Sequence, residues 1–306
     1  SDSDFNKSTN RNATAVRGTG TAANVSLADW DYDPDGNLSV NLTAYWKFDE
    51  STSSNNRSDY RGNNNLATNS TITRVDGVRE GAVNLTSSRV QHLNISDNPS
   101  ISMGDIDFTI AAWVYTESLN VQRSIIAKRD NAGSQQDYDL MINSDNTFGF
   151  AVSGNGADPT TKVSSTAFGA VTTGRWYFVV VWHDPTANTL NIQVDNNGSL
   201  NSLSYTAGVF DGTAPLMIGN RVDLGTAWDG RIDEVAIWKR LLTAREISLL
   251  YNSSNVTGYS AGNTFKPYKG NFTSQVFDAN AVVNWSYISW YQGADDKGIS
   301  NLYQQD

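Results

Sequence analysis

An acidic turn near the start of the chain holds the first residues that could do chemistry. Asp31, Asp33 and Asp35 alternate in the stretch DWDYDPDGN and are followed by Gly36. Alternating carboxylates before a glycine resemble the first half of a calcium-binding loop, where they converge on one hard cation. The twelfth position, where such a loop needs a bidentate acid, is Leu42. Two interpretations therefore stay open, a calcium site and an acidic turn without metal.

Other residue types with intrinsic reactivity are scarce. The chain has no cysteine, which excludes disulfides and thiolate metal sites. His92 and His183 are the only histidines, and neither has a serine or aspartate in a context typical of a catalytic triad. No glycine-rich loop follows a strand and opens a helix, so nothing predicts nucleotide binding. The net charge of -10 argues against nucleic acid as a partner and favours cations.

Acceptor motifs for N-glycosylation, Asn-x-Ser/Thr, are frequent. An asparagine-rich surface would explain them, and so would a secreted, glycosylated protein of a microbial cell surface. They begin at Asn6, Asn12, Asn24, Asn37, Asn41, Asn56, Asn69, Asn84, Asn94, Asn197, Asn252, Asn255, Asn271 and Asn284.

The elements that must position these residues are mainly strands. Short apolar or alternating runs separated by turns extend from residue 44 to 255 and predict an antiparallel β-sandwich. Residues 176–182 are apolar on both faces, which predicts a central strand. Residues 190–194 alternate between apolar and polar side chains, which predicts a strand with one solvent-exposed face. The stretch 228–251 changes from a β-like run to helical spacing, and Thr243 with Glu246 forms a capping box. We therefore expect one short helix near 243–251.

The chain divides into three parts by composition. Residues 1–43 are a polar N-terminal arm or edge strands, 44–257 form the sandwich, and 258–306 read as part of a second β module. Because two strands do not make a stable sandwich alone, another segment or another subunit would have to complete that module. No apolar run is long enough for a membrane helix. The sequence starts at Ser1 without a signal segment, so we expect a processed or excised form.

The order of the strands resembles a known family. The pieces AYWKFDES, DYRGNNN, GAVNL, DFTIAAWVY, IIAKRD, GRWYFVVVWHD and DGRIDEVAIWKRLLTAREISLLYN look like a laminin-G-like domain of the concanavalin A-like lectin/glucanase superfamily. The resemblance implies an all-β, antiparallel two-sheet jelly roll with one short helix and flanking β segments. It also implies ligand binding without chemistry, typically to glycans or proteins.

The resemblance further implies one structural calcium ion at the sheet margin. The matching position is Asp233, with Asp49, Asp59 and the Gly62 carbonyl as partners, which are the oxygen ligands that a hard cation prefers. An alternative is that Asp233 pairs with Arg231 or caps a turn.

Aromatic residues provide a hypothesis for sugar binding. Trp228 would be an exposed stacking platform, and the stretch from Arg129 to Tyr138 would form the opposite rim. The competing interpretation is that these aromatic side chains belong to the core.

Glycosidase chemistry is not predicted. The glucanases of this superfamily carry a Glu-x-Asp-x-x-Glu motif, which this sequence lacks, and Asp105-Ile106-Asp107 has no glutamate. Asp233 and Glu234 are neighbours that should point to opposite faces of a strand.

We therefore expect a non-catalytic, extracellular, cell-surface protein. One function is an adhesive or structural subunit of a fibre or surface layer, polymerised through the N-terminal arm and the C-terminal β segment. The alternative is the carbohydrate-recognition module of an adhesin or viral receptor-binding protein, and a glycoside hydrolase is a distant third.

Overall fold

The computed structural model describes residues 14–17, 24–27, 38–52, 54–157 and 160–254. Val40–Thr257 form one compact unit, and Ser1–Ser39 with Gly258–Asp306 form the other. In the second of these units, β1 (Thr14–Arg17) pairs antiparallel with β2 (Asn24–Leu27). The three-part division made from the sequence stays a prediction, because most of its flanking residues lie outside the described ranges.

Val40–Thr257 is a sandwich of two antiparallel sheets, which confirms the predicted all-β architecture. The first sheet has the order β13-β12-β11-β10-β17-β8-β5-β4, and the second has the order β16-β15-β14-β9-β18-β7-β6 with β3 beside β18. The strands are β3 (Leu42–Trp46), β4 (Asn56–Arg57), β5 (Leu66–Thr68), β6 (Thr73–Asp76), β7 (Gly81–Leu85), β8 (Leu93–Ile95), β9 (Phe108–Thr116), β10 (Arg123–Asp130), β11 (Gln135–Ile142), β12 (Phe148–Gly156), β13 (Thr161–Ser164), β14 (Trp176–Asp184), β15 (Thr189–Val194), β16 (Leu200–Ser204), β17 (Leu216–Ile218) and β18 (Gly230–Trp238).

The core lies between the two sheets and follows the strand period of two. In β11, for example, Tyr138, Leu140 and Ile142 point into the core, so Asp139 points away from it. Strand β14 is apolar on both faces because its outer face is covered as well. There the Tyr251 ring stacks on Trp113 at 5.7 Å between centroids and lies 6.0 Å from Phe178.

The helix that covers this face is α1 (Ala244–Ser254), which follows β18 directly. The Glu246 amide donates to the Thr243 hydroxyl at 3.2 Å, and the Thr243 amide donates back to the Glu246 carboxylate at 2.7 Å. Arg240 forms an ion pair with the same carboxylate at 2.6 Å. The predicted capping box is therefore confirmed, and it fixes where the helix begins.

Strand β18 changes partners halfway along its length. Its first half, 230–232, pairs with β7, and its second half, 235–238, pairs with β3. The ladder to β9 on its other side is interrupted by a bulge between Asp233 and Ala236. We call this point the strand fork, and it positions the buried acids described next.

Candidate functional site

Asp233 lies at the strand fork and is fully buried. Its Oδ2 atom accepts hydrogen bonds from the backbone amides of Val78 at 2.7 Å and Arg79 at 3.2 Å, in the turn before β7. Its Oδ1 atom is buried and accepts no hydrogen bond. One carboxylate oxygen therefore fixes the turn, and the other is left for a further partner.

Glu234 is the second buried acid of the strand fork. Its Oε2 atom accepts a hydrogen bond from the Tyr45 hydroxyl at 2.5 Å. Burial raises the pKa of Glu234 to about 8, although the Tyr45 hydroxyl and Arg79 oppose this shift. Burial and the neighbouring Glu234 charge together raise the pKa of Asp233 well above its usual range. The two carboxylates interact because the bulge interrupts the regular alternation that predicted them on opposite faces.

Asp49 completes what we call the acid cluster: Asp49, Asp233 and Glu234. Its Oδ1 atom accepts a hydrogen bond from the Gly81 amide at 2.8 Å. Burial raises the pKa of Asp49 to about 6, and its charge in turn raises the pKa of both other acids. Carboxylates in such surroundings are neutralised either by protons or by a cation.

The backbone around the acid cluster is strained and crowded. Phe48, Glu80 and Glu234 have φ angles of 61°, 44° and 50°, in the left-handed region that such side chains rarely adopt. A Cβ atom at Gly77 would lie 2.4 Å from Asp233 Oδ2, so only glycine fits beside that carboxylate. Strain of this kind persists where the surrounding structure fixes it and is often found at functional sites.

The acid cluster fits a cation only in part. The unpaired Asp233 Oδ1 and the shared negative charge suit a hard cation. Within the described ranges, however, no three acidic or histidine side chains converge as metal ligands do. The predicted calcium ion therefore stays a prediction for Asp233 and Asp49. Asp31, Asp33 and Asp35 of the acidic turn lie outside the described residues.

Asp59, predicted as a partner of that ion, is instead engaged by hydrogen bonds from its own loop and from β3. Its carboxylate accepts hydrogen bonds from the amides of Tyr45, Arg61, Asn63 and Asn64 and from the Asn64 side chain, at 2.8 to 3.3 Å. A carboxylate has about four lone-pair positions, so none remains for a metal. Asp59 instead organises its own loop.

Gly62 lies at the exposed tip of the Asp59 loop in a left-handed conformation, and its amide donates to the Asp59 carbonyl at 2.8 Å.

The predicted aromatic sugar platform is also wrong. Trp228 is completely buried and belongs to the main core cluster, because its side chain enters the space between the sheets just before β18. Tyr138 is buried on the core side of β11, where its hydroxyl donates to the Ile101 carbonyl at 2.9 Å. The competing interpretation, that these rings belong to the core, is confirmed.

Arg129 takes part in a closed ring of polar side chains on the outer face of the first sheet. We call these five residues the Asp139 ring: Asp139, Arg129, Asn131, Asp223 and Arg221. The guanidinium groups of Arg129 and Arg221 lie 4.0 and 3.7 Å from Asp139 Oδ2. Asn131 accepts from Arg129 Nε at 2.7 Å and donates to Asp223 at 2.9 Å, and Asp223 lies 3.6 Å from Arg221 Nε.

The segment between β17 and β18 covers this ring. The Val222 amide lies 3.4 Å from the Arg129 carbonyl, and the Ser124 amide donates to the Thr226 carbonyl at 2.9 Å. Residues 220–226 therefore return across β10 from one end to the other. Asp139 lies beneath them, and its burial raises its pKa to about 6 despite the two arginines.

The side chains of the glycosylation motifs that the structure describes differ in exposure. Asn41, Asn56, Asn69, Asn197 and Asn252 are exposed, and Asn84 and Asn94 are half-buried. The side chains of the others, Asn6, Asn12, Asn24, Asn37, Asn255, Asn271 and Asn284, lie outside the described set.

Sequence reasoning missed Asp139, Arg221 and the role of Glu234. Asp139 occurs in YDLMI, where an acid between apolar residues signals only an outward position. Its partner Arg221 is far away in sequence, so no spacing could connect the two. The sequence shows that Asp233 and Glu234 are neighbours in β18, but it does not show the bulge that lets their carboxylates interact.

Among the described residues, no helix is long and apolar enough to span a membrane.

Comparison with solved structures gives matches of similar fold at low identity. Domain 4 of AbnA, a GH43 extracellular arabinanase from Geobacillus stearothermophilus solved with arabinotriose, is 18% identical with a TM-score of 0.53. That match covers 69% of this chain and 98% of that chain. The binding domain of Paraclostridial Mosquitocidal Protein 1 is 19% identical with a TM-score of 0.54, covering 70% and 52%.

A third match is a structure of botulinum neurotoxin type C, whose cell entry depends on two ganglioside molecules. It is 18% identical with a TM-score of 0.52, covering 70% of this chain and 52% of that chain. The chain thus spans nearly all of the arabinanase domain and about half of the two toxin structures. At these identities the likeness establishes the fold alone.

Sequence comparison assigns the family. No curated protein sequence matches the chain. The family model for the concanavalin A-like lectin/glucanases superfamily, of the laminin-G type, matches residues 87–248, more than half of the chain. The chain therefore belongs to the concanavalin A-like lectin/glucanases superfamily.

Proposed function

We propose that Val40–Thr257 is a non-catalytic, glycan-binding module of an extracellular protein. The observation that carries the proposal is the match to almost the whole of an arabinanase domain that was solved with arabinotriose. The ganglioside dependence of the matched neurotoxin adds a second neighbour that engages a carbohydrate-bearing partner. The arabinanase match covers nearly all of one domain that was solved with a sugar ligand, which supports an external ligand for this module too.

The arrangement of acids supports binding over hydrolysis. A glycosidase needs two carboxylates about 5 to 9 Å apart that flank a sugar in an open cleft. Asp233 and Glu234 are buried, and they hold a turn amide and the Tyr45 hydroxyl. Asp105 is exposed at a loop, and its neighbour Asp107 is half-buried. This makes a module that recognises a glycan without cleaving it the best-supported function.

Calcium is part of the proposal as a structural ion at the acid cluster. Asp233 would contribute its unpaired Oδ1, with Asp49 nearby, and the ion would take the place of the protons that otherwise neutralise these buried carboxyl groups. Its role there is to hold the turn before β7 against the strand fork.

A glycan array tests the main proposal. We expect the purified chain to bind a restricted set of glycans, with an arabinan oligosaccharide and ganglioside oligosaccharides among the first probes. Parallel arrays with and without a chelator separate direct recognition from a structural effect of calcium. The absence of binding to any glycan in both conditions would overturn the proposal.

A second candidate function is a subunit of a fibre, favoured by the exposed edge strand β16. Leu200 and Leu203 are exposed on it, and residues 196–210 carry no charge although the chain carries -10. An edge strand without charged residues or proline is open to strand addition by a second copy. The predicted contribution of the N-terminal arm and the C-terminal β segment stays a prediction.

A further inference from the structure

We infer that an open groove at one side edge of the sandwich is the place where this module holds a neutral sugar residue. The groove has a volume of about 330 Å³ and is lined by the end of β12, the start of β13 and the segment that follows β16. We call it the edge groove. The inference rests on the proposed glycan-binding function and names the site for it, to which neither the family match nor the solved neighbours point.

The edge groove lies where the two sheets end beside each other. Strand β13 is the last strand of the first sheet and β16 is the last strand of the second, so the core meets solvent between them. Val152 and Tyr205 belong to the core cluster and also line the groove. Thr161 is paired with Val152 across β12 and β13 and is half-buried at the rim. The groove therefore has an apolar inner wall and a polar rim.

The mouth of the edge groove is open to solvent. Gly154, Asn155 and Ala207 line it, and all three are exposed. A Cβ atom at Gly154 would lie 2.6 Å from the Ala207 carbonyl oxygen, so β12 can approach the segment after β16 this closely only with glycine there. Sites for small ligands have volumes of about 300 to 1,000 Å³, so the edge groove suits a short glycan unit.

Asn155 presents a hydrogen-bond donor in a fixed direction. Its Oδ1 atom accepts hydrogen bonds from the Ala157 amide at 3.0 Å and from the Ser153 hydroxyl at 3.2 Å. Because the side-chain amide is planar, these two contacts also set the direction of Nδ2. Within the described ranges, Nδ2 has no hydrogen-bond partner of its own. Asn155 can therefore donate to a sugar oxygen without rearranging.

Tyr205 adds a hydroxyl group to the same groove. Its ring lies 6.3 Å from the His183 ring, and its amide donates to the Asn188 carbonyl at 2.7 Å, so its position is fixed. Burial and the nearby Asp105 charge raise the pKa of Tyr205, so its hydroxyl keeps the proton. That hydroxyl has no hydrogen-bond partner in the described part of the chain and is not buried. It can therefore donate to a ligand and accept from it.

The charges around the edge groove favour a neutral ligand. None of the described lining residues is charged. Lys162, next to Thr161, donates from Nζ to Asn143 Oδ1 at 2.7 Å on the other face of β13. Asp105 is exposed and close enough to Tyr205 to raise its pKa. An acidic sugar would meet this carboxylate without a lining cation to balance it, whereas a neutral sugar meets no repulsion.

The experiment compares binding by groove variants with binding by a matched control. Tyr205→Phe removes the hydroxyl and keeps the ring beside His183, and Asn155→Asp keeps Oδ1 but replaces the donor with a carboxylate oxygen. Asn197→Asp is the control, because Asn197 is exposed outside the groove and its Oδ1 also accepts an amide, that of Ser199 at 3.0 Å. All chains come from a host that does not glycosylate them, so this change removes no modification.

The probes are arabinotriose and the glycan that gives the strongest signal with the unmodified chain on the array, titrated by calorimetry. We expect Tyr205→Phe to weaken binding about three- to tenfold, because one hydrogen bond is lost. Asn155→Asp should weaken it about tenfold or more, because a sugar oxygen would then face a carboxylate. Asn197→Asp should bind as the unmodified chain does.

A third variant tests the space in the edge groove. Thr161→Tyr places a ring at the half-buried rim and should weaken binding at least as much as Asn155→Asp. Thermal unfolding checks that each variant folds, and Thr161→Tyr replaces either of the other two if one of them does not. On the array, a neutral glycan should bind more tightly than its acidic counterpart.

Equal binding by the groove variants and the unmodified chain would remove the edge groove from the site while leaving the glycan-binding function in place. A crystal structure with the probe bound elsewhere would do the same. Tighter binding of acidic glycans would overturn the assignment of a neutral sugar. No binding of any probe by the unmodified chain would overturn both proposals together.

Discussion

At the scale of single residues, two buried aspartates show how lone pairs decide what a carboxylate does. Asp59 uses its oxygens on the amides of its own loop, so it is a structural residue with no capacity left. Asp233 uses one oxygen on Val78 and Arg79 and keeps the other unpaired at the strand fork. Of these two aspartates, Asp233 is therefore the one with a carboxylate oxygen left for a further partner.

Calcium should stabilise the unmodified chain and not the Asp233→Asn variant. An ion that binds only the folded state at about a hundred times its Kd adds about 3 kcal/mol to the free energy of unfolding. For a module of this size we expect the Tm to rise by roughly 5 to 10 °C. Thermal unfolding with calcium and with chelator measures the difference.

Asp59→Asn is the matched control for this prediction. It should lower the Tm in both conditions, because loop amides lose an acceptor, while the calcium response remains. An unmodified chain whose Tm does not change on chelation would contradict a structural calcium ion.

At the scale of elements, helix α1 is held at its start by side chains and along its length by aromatic packing. The Thr243–Glu246 box satisfies two amides, and Arg240 ties the same carboxylate to the end of β18. Tyr251 then lies on Trp113 and Phe178. The helix therefore seals an apolar sheet face that would otherwise be exposed.

Thr243→Ala should lower the free energy of unfolding by about 1 kcal/mol, since the Glu246 amide loses its acceptor. Thr243→Ser keeps the hydroxyl and should stay within a few tenths of a kcal/mol of the unmodified chain. Urea unfolding followed by tryptophan fluorescence measures both. Equal losses for the two variants would show that the hydroxyl does not cap the helix.

Elements were predictable from sequence wherever their signals are local. The capping box lies within four residues, and the apolar run of β14 predicts that both faces of this strand are covered. The bulge at Asp233 could not be predicted, because the sequence of β18 is that of a regular apolar strand. The exposure of Trp228 was misjudged for a similar reason: neighbouring glycine and aspartate suggest a loop, while the direction of the side chain depends on both sheets.

At the scale of the whole molecule, the family could be recognised from the sequence because the resemblance rested on the order of many short segments. The candidate sites were harder to predict from the sequence. The Asp139 ring joins residues that are about 90 positions apart, and such contacts follow from sheet topology and not from any local pattern.

If the chain is a fibre subunit, native material should contain end-to-end polymers. Strand addition at β16 would join copies through backbone hydrogen bonds, so Leu203→Lys should reduce polymer length by placing a charge on the edge. Negative-stain imaging reads the outcome, with Lys162→Arg on the exposed part of β13 as the control. A population of monodisperse monomers without end-to-end contacts would contradict the fibre.

The strand fork also dictates an order of assembly during synthesis. Strand β3 has β18 as its only partner among the described strands, and the Tyr45 to Glu234 bond closes a loop of 189 residues. Until β18 leaves the ribosome, the inner edges of β3, β7 and β9 are unpaired, and contacts so distant in sequence form slowly. During synthesis the module therefore has unpaired, apolar strand edges until β18 emerges. Strand β18, the last strand of the sandwich, then completes the sheet to which the first strand, β3, belongs.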